Sequence, residues 1–173
     1  MKTKALVSIY ILMIFSLVSC SKESINETGI TDNPSVLFQE INSTEIDVAI
    51  DPIEEEILTL VNEYRSEIGA TTLAFSMVAY KEANEHTMYM ISKGTLSHDN
   101  FSSRATNIND IELIEHAAEN VARDFKTAKD VLHSWLESTH HKRTIESDFT
   151  HSAISVKQNV KGMMYFTQIF YKK

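Results

Sequence analysis

Cysteine is almost missing from this chain: Cys20 is the only one in 173 residues. One cysteine permits no intrachain disulfide. No thiol nucleophile and no cysteine-ligated zinc can occur beyond position 20. Any domain downstream must be stabilised by packing. Proline occurs twice, at Pro34 and Pro52, and glycine only four times. Basic residues are in deficit, 16 against 24 acidic, for a net charge of −8. A chain this acidic is a poor partner for nucleic acid. No internal repeat is present. The one long apolar run, Ala5–Val18, is shorter than the roughly 20 residues needed to span a bilayer as a helix.

What is present begins with that run. Lys2 and Lys4 precede it and Leu17-Val18-Ser19-Cys20 closes it. Together they form the charged and apolar regions of an export signal. The closing tetrapeptide resembles the lipobox of bacterial lipoproteins. In that class the cysteine is acylated and becomes the mature N-terminus, so residues 1–20 read as a lipoprotein signal peptide. Acyl chains on Cys20 attach a protein to a membrane without a spanning helix. Removing the signal leaves 14 basic against 24 acidic side chains, a net of −10. Attachment would then rest on lipid rather than on a basic patch. Residues 21–52 are rich in Ser, Asn, Thr, Glu and Asp and read as a polar tether, with a short docked segment near Val36–Ile41 as the alternative.

The pattern changes at Pro52, which suits the first turn of a helix, and Glu54-Glu55-Glu56 complement its N-terminal dipole. Ile57, Leu60, Val61, Tyr64 and Ile68 recur at helical spacing up to Gly69. Ser76 caps a second predicted helix, whose face carries Met77, Tyr80, Ala83, Thr87, Met90 and Ile91 and which Gly94 ends. A polar loop is expected over 95–110, a third helix near 111–122 and a fourth near 127–138. In the third, His116 and Glu119 would share a face. The tail changes period: 152–159 and 163–171 read as strands joined through Val160-Lys161-Gly162. Helices first and strands last predict an α+β domain over 53–173. Phe75, Phe125, Phe149 and Trp135 are expected in the core, with Met77, Met88 and Met90 as core filler. Asn62 and Asn120 are expected to satisfy buried backbone, and Arg104 to anchor the loop from Ser97.

All seven histidines lie between His86 and His151. Around them the chain resembles the CAP superfamily, the group of cysteine-rich secretory, antigen 5 and pathogenesis-related 1 proteins with an SCP-like domain. The resemblance rests on Val61-Asn62-Glu63-Tyr64-Arg65, Leu96-Ser97-His98-Asp99-Asn100-Phe101 with Arg104, and Ala118-Glu119-Asn120-Val121-Ala122. It continues through Trp135-Leu136-Glu137-Ser138-Thr139-His140-His141-Lys142 and the two terminal strand segments. The resemblance implies a three-layer α-β-α sandwich with an antiparallel sheet. It also implies a shallow cleft in which two His and two Glu can hold a divalent metal.

His98, Glu119 and His141 match three of those four positions, and Ser138 stands where the second Glu is expected. Glu137 is adjacent, but one residue is about 100° around a helix. Two neutral imidazoles and a carboxylate, with water, are a zinc-type donor set. His151, Glu137, Ser138 and Asn120 are the candidates to surround it. The alternative is that both histidines hydrogen-bond Glu119 and tie loops to helices. The functional expectation is an exported, lipid-anchored binding module of the cell envelope. Its ligand would be a lipid, a small apolar molecule or a protein. The rival is a metal-dependent hydrolase with Glu119 as general base. A binding role predicts an apolar groove beside the cleft.

Overall fold

A computed structural model describes residues 50–173. The expected export signal with Cys20, the expected polar tether up to residue 49 and the Val36–Ile41 segment lie outside the described residues. No described helix is long and apolar enough to cross a membrane.

Helix α1 runs Pro52–Glu67. Asp51 caps it, accepting from the Ile53 amide at 3.1 Å, and Glu54 closes a capping box by accepting from the Asp51 amide. Glu54 then does more than cap. Although it is 2% exposed, its carboxylate accepts from Val156 N and Tyr80 OH at 2.7 Å each and from Lys157 Nζ at 3.2 Å. A two-residue strand β1, Ala74–Phe75, leads to helix α2, Met77–Lys93. Ser76 caps α2 as expected, and Gly94 ends it at φ 70°, a conformation that favours glycine.

The expected loop over 95–110 is instead largely helix α3, Phe101–Glu112. Its polar surface hid it, because only Arg104 and Ile108 are buried. The expected helix over 111–122 is corrected to strand β2, His116–Arg123. Ala-rich sequence favours a helix locally, but here it fits a strand squeezed between two helical layers. His116 and Glu119, three apart, therefore lie on opposite faces of a strand. Helices α4, Ala128–Glu137, and α5, Thr139–Glu146, follow with only Ser138 between them. Strands β3, His151–Gln158, and β4, Met164–Lys172, close the chain through the turn around Gly162.

The sheet order is β1-β3-β4-β2. β3–β4 and β4–β2 are antiparallel, while β1 adds to β3 in parallel. Helices cover both faces. Ala122, Ile154, Val156, Phe166 and Phe170 pack on α1, α4 and α5 through Ile57, Val61, Val131, Leu132, Trp135 and Ile145. The alternate positions Ala153, Ile169 and Tyr171 pack on Ala79, Tyr80, Ala83 and Ile108 of α2 and α3. The period-two pattern near the end of the chain thus separates two helical layers rather than core from water. The core expectation needs three corrections. Phe75, Met77 and Met88 are exposed, at 37%, 48% and 55%. Among the described residues β1 is an edge strand with β3 alone beside it, and Phe75 packs against the Tyr80 ring. Trp135, Phe149 and Met90 are buried.

Candidate functional site at the open edge of the sheet

Among the described residues, strand β2 has β4 on one side and no strand on the other. Successive side chains alternate across it. Glu119 faces the α2–α3 layer, and Asn120 faces α5, where its amide donates to His141 O at 3.2 Å. Glu119 is 7% exposed, so its charge needs partners. Arg104, one turn into α3, supplies them. Nε donates to Oε2 and Nη2 to Oε1, each at 2.9 Å, the planar fork that guanidinium and carboxylate share. Nη1 of Arg104 donates to Asp99 O at 2.7 Å, so the expected loop anchor is present as well.

Two histidines complete the cluster. His98 Nδ1 lies 2.8 Å from Glu119 Oε1. A carboxylate only accepts, so Nδ1 carries the proton and Nε2 is the nitrogen left to meet a ligand. The His98 side chain is about half exposed, at 51%. His86, on the buried face of α2, sits with Nε2 2.6 Å from Ser97 O and 3.6 Å from Glu119 Oε1. Nε2 therefore donates, and His86 Nδ1 is left buried without a partner. Burial pushes the His86 pKa down, opposed by the Glu119 charge and the Ser97 carbonyl. His141 is also held low, first by burial and then by His140 and His98. The loop between α2 and α3 is braced by Tyr89, which stacks on His86 and donates to Asp99 at 2.8 Å.

His98 and Glu119 are in direct contact, and His141 lies close enough to His98 for their charges to interact. The other candidates are elsewhere. Glu137 pairs with His133 on the exposed face of α4 at 3.1 Å. His151 stacks on Tyr171 and bonds Thr150. Ser138 caps α5 without a side-chain bond. Sequence reasoning did not single out His86 or the pairing of Arg104 with Glu119. For His86 a signal existed: it follows Ala83 by three residues on the apolar stripe that continues to Met90.

The sequence model of the CAP family, the cysteine-rich secretory protein family, matches residues 58–170. The chain belongs to the CAP family. Its fold is similar to an outer surface protein of Borrelia burgdorferi, with a TM-score of 0.64 and 19% identity over 72% of this chain and 96% of that one. It is also similar to an extracellular SCP-domain protein of Bacillus anthracis, with a TM-score of 0.62 and 22% identity over 72% of this chain and 45% of that longer one. A manganese-bound structure of Ac-ASP-7 aligns with a TM-score of 0.53 and 14% identity, over 76% and 74%. No curated protein gives a match.

The metal seen in that distant neighbour can be tested against this CAP domain's own donors. Both Glu119 oxygens already accept, from His98 and from the Arg104 fork. A cation on this carboxylate would lie beside a guanidinium that cannot lose its proton. Among the described residues, no group of three or more His, Cys, Asp or Glu is arranged to hold a metal ion. Glu119 as paired here does not fit the role of ligand to Zn2+ or another divalent metal.

Proposed function

We propose that this chain is a lipid-anchored, extracytoplasmic CAP-domain binding module of the cell envelope. The observation that carries this reading is the state of Glu119. Its carboxylate is committed to Arg104 and His98, so it serves to hold the cleft rather than to take a proton from a substrate. The hydrolase alternative needs that carboxylate free. The cleft instead presents the outer nitrogen of a half-exposed imidazole, a group suited to recognition by hydrogen bonding. An apolar groove between α2 and α3 offers a further surface for binding. The Borrelia and Bacillus neighbours are described as outer surface and extracellular proteins, which supports an exported setting. Anchoring rests on the signal and on Cys20, facing either the periplasm or the cell surface.

Two measurements test the proposal. Cell fractionation of Cys20→Ser should move the protein from membranes to the soluble fraction; persistent membrane attachment contradicts the anchor. Pull-downs from envelope extract with the wild type and with His98→Ala/His141→Ala should differ by the loss of specific partners in the variant. An unchanged set removes the cleft as the recognition surface.

A further inference from the structure

Beside the interface between α2 and α3 two carboxyl groups are buried, and they are treated differently. Glu119 projects into it from β2 beside His86 and Arg104 and has a guanidinium, as described above. Glu82 lies one turn before His86 on α2 and is 4% exposed. Among the described residues its one side-chain partner is Asn107, one turn past Arg104 on α3, whose amide donates to its two oxygens at 3.2 and 3.1 Å. Among the described residues, no lysine, arginine or histidine pairs with Glu82. A buried carboxylate with one neutral partner keeps unused acceptor capacity and an uncompensated charge.

Glu82 is not sealed in. It lines a groove of about 860 Å³ between the two helices, within the roughly 300–1,000 Å³ of small-molecule sites. The walls carry Met77, Val78, Tyr80 and Ile111. Met77 and Ile111 are 48% and 66% exposed, a large apolar surface left to water. Glu85 and Asp110 stand at the rim, against Lys81 as the single basic residue lining it. Apolar walls over a buried acid, with an acidic rim, match one kind of occupant in both shape and charge.

We propose that the α2–α3 groove binds a small amphiphilic amine, with the apolar body on Met77, Val78, Tyr80 and Ile111 and the ammonium donating to Glu82. The site rests on the binding reading above but not on the His98–His141 cleft. The charge of the occupant follows from Glu82, because an anionic or neutral amphiphile would leave that carboxylate uncompensated. Its body follows from the exposed apolar walls, which a bare cation would not cover.

Calorimetric titration of the purified chain with decylamine, decanoate and ethylamine, each below any aggregation concentration, tests the proposal. Decylamine should bind with one-to-one stoichiometry. Decanoate should bind at least tenfold more weakly, and ethylamine roughly a hundredfold more weakly for lack of apolar area. Glu82→Gln keeps the shape and the Asn107 contact but removes the charge, so it should weaken decylamine by roughly ten- to a hundredfold. Decanoate binding as tightly as decylamine overturns the proposal, and so does wild-type affinity in Glu82→Gln.

Should that variant fail to fold, amide chemical-shift mapping of the wild type with decylamine decides. Shifts at Lys81, Glu85, Asn107, Asp110 and Ile111 support the groove. Shifts confined to His98, Glu119 and His141 overturn it. The His98→Ala/His141→Ala variant separates this idea from the cleft reading, since it should lose envelope partners yet keep decylamine affinity.

Discussion

Glu119 and Arg104 show how one residue pair sets the character of the site. Each is nearly buried, and each leaves the other uncompensated if removed. Breaking a buried ion pair from one side costs about 3–5 kcal/mol, whereas replacing both partners with apolar groups is often close to neutral. Glu119→Gln and Arg104→Met should each destabilise the fold by that amount in urea denaturation. The double variant Glu119→Leu/Arg104→Met should recover most of the loss. A Glu119→Gln cost below about 1 kcal/mol would mean that the pair is not held in a low-dielectric setting.

His86 makes a second prediction at this scale. Burial holds its pKa below the ordinary value in the folded protein. The unfolded chain therefore binds the extra proton first, once pH falls below about 6.5. Stability then rises with pH through that window and is lost as pH falls, and His141 contributes with the same sign. The melting temperature should drop between about pH 7 and pH 5. His86→Gln, which keeps a donor for Ser97 O, should flatten the slope. An equally steep profile in that variant would assign the effect to other groups.

Among the elements, the junction between α3 and β2 is misread by sequence patterns, and α5 and β1 are not anticipated by them. Residues 101–112 look like loop because only two of their side chains are buried. Residues 116–123 look helical because alanine favours helices. The switch occurs at Leu113, which ends α3 at φ 53°, ψ 63° and is 81% exposed. Leucine is strained in that left-handed conformation and buries little in exchange. Leu113→Gly should stabilise the protein by about 0.5–1 kcal/mol in thermal or urea unfolding. A loss of stability would show that the side chain makes a contact that outweighs the strain. The ends of α1 and α2, by contrast, were legible. Pro52, Glu54, Ser76 and Gly94 act through bonds to residues three or four positions away, and sequence displays such local chemistry directly.

At the scale of the molecule, the sheet is covered on both sides, and this predicts how its stability is distributed. β3 and β4 are buried along nearly their whole length. α3 contributes Ile108 to the core and Arg104 to the site, and little else. Amide exchange should be slowest in β3 and β4 and faster in α3 than in α2. Uniform protection across the helices would contradict this. The same two-layer arrangement positions the cluster around Glu119. β2 is an edge strand, so loops and helix ends from opposite faces can approach its free side, bringing His98 and His141 towards each other across 43 residues of chain.

The apolar run ending at Cys20, the acidic balance, the α+β class and the family resemblance around His98, Glu119 and His141 are expressed by composition and by short segments, each local in sequence. They could therefore be read without a structure. Tertiary structure alone decided that Arg104 and His98 saturate Glu119. It also decided that His86 is buried beside them, and that Glu82 has an amide where its neighbour has a guanidinium. The physical reason is common to all three. Whether a charge is paired depends on what lies within about 4 Å of it in space. In this fold those neighbours come from α2, α3 and β2, which the sheet brings together and the sequence keeps apart.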